Sequence, residues 1–126
     1  MATYYVMRSP GFSGPYRLNA DKVDALVPEG PGVYVLSEKT AKGEFLACYV
    51  GRADASLARR LQQHVGNYSY FYFKECDTEN GAFFSECHLF HTYGKANFLD
   101  NEIHPAIPKG SGLPKCAETG CRGEAY

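Results

Sequence analysis

Residues 32–37 (GVYVLS) and 44–51 (EFLACYVG) are two short runs rich in β-branched, aromatic and aliphatic residues, separated only by the polar stretch 38–43. Runs of this length and composition favour extended backbone. The short connection contains Lys42-Gly43 and brings the chain back beside itself, so the two runs are predicted to pair antiparallel. Any fold for this chain is constrained to grow around that pair.

The rest of the chain supplies helices to cover it. Asn19 is a good N-cap for a short helix over 20–26, with Asp21 in the first turn where the helix dipole favours an acid. Pro28 and Pro31 end it. Residues 54–65 carry Leu57, Leu61 and Val65 at a spacing of four, an apolar stripe along a second helix that Gly66-Asn67 terminates. Residues 68–76 read as a third strand, and 77–81 as a turn or helix entry. A helix over 82–93 follows, with Phe83, Cys87 and Phe90 on one face, and Gly94 stops it. Residues 97–103 suit a helical turn. The stretch 104–126 is loop-like, with Pro105, Pro108 and Pro114, and 1–19, rich in Gly, Pro and Tyr, reads as an irregular arm. The expected architecture is a single α+β domain: a small three-stranded antiparallel sheet flanked by helices, with a core at about 31–103, an arm at 1–30 and a cysteine-containing tail at 104–126.

Composition excludes several classes. With 44% hydrophobic and 21% charged residues the chain is neither disordered nor fibrous. No apolar run reaches the roughly 18 residues of a membrane span, and no basic segment followed by an apolar one marks a secretory signal. A cytoplasmic protein with no membrane partner is expected. Thirteen basic residues against 14 acidic ones, a net charge of −1, argue against strong unspecific binding to nucleic acid. Arg52, Arg59 and Arg60 still provide a local basic face. The five cysteines are an odd number in a chain without a signal, so they read as reduced thiols.

Gly32-Val33-Tyr34, preceded by Pro31, and Tyr49-Val50-Gly51 resemble the two halves of the signature of the GIY-YIG nuclease superfamily. Residues 57–64 (LARRLQQH) resemble that family's helix, in which an arginine is followed four positions later by His or Tyr. Glu86 falls in the next long helix, where the family places a metal-binding glutamate. The likeness spans about residues 31–103. It implies a metal-dependent endonuclease acting on DNA or, as the lesser alternative, RNA, with one Mg²⁺ (or Mn²⁺) held by Glu86. It also implies Tyr34, Tyr49, Arg60, His64 and Glu86 as catalytic residues and Arg52, Arg59 and Asn101 as substrate-binding residues. Where the family often has Lys after the second triplet, this chain has Arg52. An extra residue before Leu57 leaves Arg59 as the rival of Arg60 for the catalytic arginine, and Asn97 is the rival of Asn101. With no added DNA-binding module in view, specificity would come from loops, the arm, a homodimer or a partner protein.

Phosphodiester hydrolysis needs a base for water, a cation against the phosphate, a Lewis acid and an in-line arrangement. Arg60 would hold the phosphate in its guanidinium fork. Tyr49 would act as base or position water, its pKa lowered by nearby Arg52, while Tyr34 would orient water or phosphate and His64 would assist proton transfer. Every one of these residues also has an ordinary reading. Tyr34 and Tyr49 suit strand packing, Arg59 and Arg60 a solvated helix face, and Glu86 an exposed or capping role. The same residues could serve a non-catalytic nucleic-acid-binding module. Phe71, Tyr72 and Phe73 could stack bases, although a strand turns such residues toward a core. The tail offers a third reading, a zinc-stabilised interaction protein. Cys116 and Cys121, with His104 upstream, form a half-site for zinc, and two more ligands would have to come from His88, His91 or Cys87 on the preceding helix.

Overall fold

The computed structural model describes residues 4–102, 104–113 and 116. In chain order the elements are β1 (Tyr5–Val6), β2 (Ser13–Arg17), α1 (Ala20–Leu26), β3 (Gly32–Lys39), β4 (Phe45–Ala53), α2 (Leu57–Gln62), β5 (Tyr70–Glu75), α3 (Glu79–Thr92) and α4 (Lys95–Phe98). The strands form one sheet in the order β1-β4-β3-β5-β2, and every neighbouring pair is antiparallel.

The expected three-stranded sheet is therefore incorrect, because the sheet has five strands and four helices accompany it among the described residues. The three expected strands are its centre, and both additions come from the segment read as an irregular arm. β2 is Ser-Gly-Pro-Tyr-Arg, with none of the apolar alternation that marks a strand. It is extended because it lies along β5, matching Tyr16 to Phe71 and Ser13 to Phe73 with a register shift between them. Proline is tolerated there because β2 is an edge strand, where a missing N–H breaks no ladder. β1 contributes only Tyr5 and Val6, opposite Ala47 and Leu46 of β4.

β3 lies at the centre, flanked by β4 and β5, and its first six residues are buried. Successive side chains of a strand point to opposite faces. Val33 and Val35 enter a core with Val50, Ala82, Leu89 and Phe90, on the α3 side of the sheet. Tyr34 and Leu36 enter the other, with Val23, Leu57, Leu61 and Phe71, under α1 and α2. Phe71, Tyr72 and Phe73 are all buried in these cores, so they are packing residues rather than base-stacking ones.

The helices differ from expectation mainly at their ends. α2 starts at Leu57 because Ser56 is its N-cap and its first N–H groups reach back to the loop before β3, Leu57 to Gly30 and Ala58 to Pro28. It ends at Gln62, so Val65 leaves the predicted stripe and is exposed, while Leu57 and Leu61 are fully buried. α3 opens at Glu79, capped by Thr78, and Phe83, Cys87 and Phe90 are buried on it as predicted. Among the described residues no helix is long and apolar enough to cross a membrane.

Candidate active site

The glycines of the two triplets have steric reasons to be there. Gly51 sits opposite Tyr34 in the β3–β4 register, and the Tyr34 ring lies so close over it that a Cβ at residue 51 would collide with the ring. A Cβ at Gly32 would come within 2.6 Å of the Lys74 carbonyl and 2.7 Å of a Leu57 methyl. The tight strand packing that seats Tyr34 thus depends on both.

Tyr34 is only 2% exposed, and its hydroxyl is 2.9 Å from His64 Nε2. His64 lies beyond the end of α2, where a turn bond from its N–H to the Leu61 carbonyl keeps it close to the helix. Its ring packs against both tyrosines, with centroids 5.3 Å from Tyr34 and 5.4 Å from Tyr49. Burial, with the nearby positive charge of Arg60, lowers the His64 pKa, so the imidazole is neutral at pH 7. Burial raises both phenols. At Tyr34 the Tyr49 hydroxyl and Glu86 add to that and Arg60 opposes it; at Tyr49 Glu86 adds and Arg60 opposes. The expectation that Arg52 lowers Tyr49 does not hold, because the Arg52 guanidinium is engaged elsewhere.

Arg52 donates from Nε to Asp54 at 2.7 Å and from Nη1 to Glu86 Oε1 at 2.8 Å, and it lies 5.4 Å from the centre of the Phe83 ring. Burial works against its charge, but the two carboxylates outweigh that and hold its pKa above the ordinary value. Glu86 is 9% exposed on α3. Burial pushes its carboxyl up to about 7, against the pull of Arg52 and Arg60. A carboxylate kept in such surroundings has a charged partner because an unpaired one would be costly.

Arg60 and Arg59 are exposed on α2 and line a shallow cleft of about 210 Å³ with Asp54, Ser56 and Gln63. Arg60 is near enough for its charge to act on Tyr34, Tyr49, His64 and Glu86. Four elements or their flanks thus bring these side chains to one region: β3, β4, α2 and α3. A larger hollow of about 360 Å³, bordered by Ser9, Phe12, Lys74, Phe84 and His88, contains none of them.

Asn101 stands apart. It is buried, and its side-chain amide grips one residue of β4, accepting from Val50 N at 2.9 Å and donating to Val50 O at 2.7 Å. Beyond the short β1, it takes the place of a neighbouring strand on that edge, and its polar atoms are engaged by backbone. Nothing in the sequence signals this role.

A second group lies on the far side of α3. The donor atoms of Cys87, His91, His104 and Cys116 all lie within 4.8 Å of one another and could hold a metal ion. Two thiols and two imidazoles are a soft set that favours Zn²⁺ over Mg²⁺. His104 and Cys116 of the predicted half-set are in it, Cys87 and His91 complete it, and Cys121 lies outside the described residues. Cys48, Cys76, Cys87 and Cys116 are in no disulfide. No family model, curated protein or solved structure matches this chain.

Proposed function

We propose that the chain is a divalent-metal-dependent phosphodiesterase that cuts nucleic acid, DNA in preference to RNA, with the site built on Tyr34, Tyr49, Arg60, His64 and Glu86. The observation that carries this reading is the convergence just described. Residues chosen in the sequence for their likeness to one nuclease signature, on separate elements, lie within electrostatic reach of one another.

In this reading the exposed Arg60, with Arg59 beside it, binds the phosphodiester at the cleft. Tyr49 hydrogen-bonds to the attacking water. Tyr34 and neutral His64 form a proton path: water gives a proton to the Tyr34 oxygen as the Tyr34 hydroxyl proton passes to His64 Nε2. Glu86 would hold Mg²⁺ or Mn²⁺ through its second oxygen, since Arg52 occupies Oε1, and Asp54, bonded to the same guanidinium, is the other carboxylate near by; carboxylate oxygens suit a hard cation. A cation held there would supply Lewis-acid stabilisation of the phosphate.

A second reading is favoured by the Arg52–Glu86 pair. A carboxylate already balanced by a guanidinium has no need of a metal, and Arg59 and Arg60 could then grip a phosphate backbone without cutting it. A cleavage assay separates the two. Wild type and Glu86→Gln are incubated with labelled single-stranded, duplex and branched DNA and RNA, in Mg²⁺, Mn²⁺ or chelator. Cutting that chelation stops, that Mg²⁺ restores and that the variant has lost supports the nuclease. Binding without cutting, unchanged in the variant, supports the binding module.

A further inference from the structure

Cys87 and His91 are four residues apart on α3 and so share one face of that helix. His104 and Cys116 follow α4 in the chain and lie outside any helix or strand. Cys87 Sγ is 3.2 Å from Cys116 Sγ and 3.6 Å from His104 Nε2, and Cys116 Sγ is 3.3 Å from His91 Nε2. Donors at tetrahedral zinc distances, roughly 2.3 Å to sulfur and 2.0 Å to nitrogen, lie about 3.3–3.8 Å from each other. The two sulfur–nitrogen separations sit at that spacing, while the two sulfurs, at 3.2 Å, are closer than the roughly 3.8 Å of a pair of zinc thiolates and well beyond the roughly 2.05 Å of a disulfide.

The orientation of His104 supports the same conclusion. Its Nδ1 is 2.8 Å from the Pro105 carbonyl oxygen. A carbonyl only accepts, so Nδ1 carries the proton and the Nε2 lone pair faces Cys87. A backbone carbonyl in that position is the usual outer partner of a metal-binding histidine. Cys87 is fully buried and His104 is 6% exposed, so the donors are shielded from water on one side.

We infer that Cys87, His91, His104 and Cys116 are the four ligands of a structural zinc ion that clamps His104 and Cys116 onto α3. Four protein donors close the coordination sphere and leave no position for substrate, which makes the ion structural rather than catalytic. Binding displaces the two thiol protons to buffer as both sulfurs become thiolates. The clamp braces the candidate active site from behind. Cys87 follows Glu86 on α3, and Asn101, three residues before His104, grips β4 between Tyr49 and Gly51. The inference rests on donor geometry and not on the phosphodiesterase reading.

The test is metal analysis of the full chain purified in reducing buffer, followed by Co²⁺ substitution, for wild type, Cys116→Ser and, as a control, Cys76→Ser. One zinc per chain is expected in wild type and in Cys76→Ser. In Cys116→Ser, zinc affinity should fall by more than the roughly 10–100-fold that loss of an outer partner alone costs. The cobalt form should show intense tetrahedral absorption with thiolate-to-metal charge transfer. A wild-type chain that takes up no zinc when ZnCl₂ is supplied overturns the inference, as do an octahedral cobalt spectrum and a Cys116→Ser chain that binds as tightly as wild type. The wild-type spectrum decides the matter even if the variant fails to fold. A zinc-loaded protein that cuts no nucleic acid upholds this site while refuting the nuclease.

Discussion

Glu86 and Cys87 are neighbours on α3, yet they belong to two regions of opposite chemistry. Adjacent residues on a helix project about 100° apart, so one turns toward Arg52 and the other toward His104 and Cys116. The Glu86 region has oxygen donors, two guanidiniums and two phenols, and Arg60 links it to the open cleft that Arg60 lines with Arg59 and Asp54. The Cys87 region has two thiols and two imidazoles drawn together, with half of them buried. A hard, partly open set suits chemistry on phosphate, and a soft, closed set suits holding two parts of a fold together. The contrast separates what each region is for: loss of the first should remove activity and leave the fold, whereas loss of the second should first weaken the fold.

The largest effect expected is at Arg60. Arg60→Ala removes the cation placed against the phosphate and should lower the cleavage rate by about 10²–10³-fold, the usual consequence of losing one charge-stabilising group. Its melting temperature and zinc content should match wild type, because Arg60 is exposed. A variant that cuts at full rate would move the phosphate contact to Arg59.

Next come two positions that bind the regions to the sheet. Asn101→Ala leaves the Val50 N–H and carbonyl without their partner and should cost about 1–3 kcal/mol in denaturant unfolding. An unchanged midpoint would show that water replaces the amide and that Asn101 is no brace. Gly51→Ala drives a methyl into the Tyr34 ring and should cost about 1–3 kcal/mol as the ring is pushed aside. It should also disturb the Tyr34–His64 contact without reducing zinc content, so an effect on zinc alone would contradict the separation of the two regions.

The smallest effect is a pH dependence at His64. Its pKa is below the ordinary 6.5 in the folded chain. As pH falls through 6.5 the unfolded chain takes up the proton first, so stability that is full above that pH is lost below it. Between pH 7 and 5, His64→Gln should therefore lose less stability than wild type. Equal slopes for the two proteins would mean that His64 titrates normally and is not held neutral against Tyr34.

These positions also show what could be read from residues alone. β3 was legible because six successive buried residues leave a continuous run rich in apolar side chains, β4 because its buried and half-buried positions are nearly all apolar, and Cys87 was legible as a core-facing position because Phe83 and Phe90 share its stripe. β2 was not legible, since Ser-Gly-Pro-Tyr-Arg becomes a strand only through pairing with β5, a contact between distant residues. The length of α2 was overestimated because a spacing of four continues to Val65, while the capping by Ser56 and the turn at Gln62 are local events that periodicity does not register. In the soft group, Cys116 and His104 were visible as a half-set. Which of Cys87, His88 and His91 completes it depends on the path from α4 to residue 116, and His88 falls instead on the side of α3 that faces the larger hollow. Asn101 was picked out for substrate, yet its partner is a backbone edge that exists only once β1 has stopped short.

The division between the two regions is tested most directly by measuring zinc content and Mg²⁺-dependent cleavage on the same preparation of Glu86→Gln. The account predicts one zinc per chain and no cutting of a substrate that wild type cleaves. A variant that cuts like wild type, or one that has lost its zinc, would contradict it.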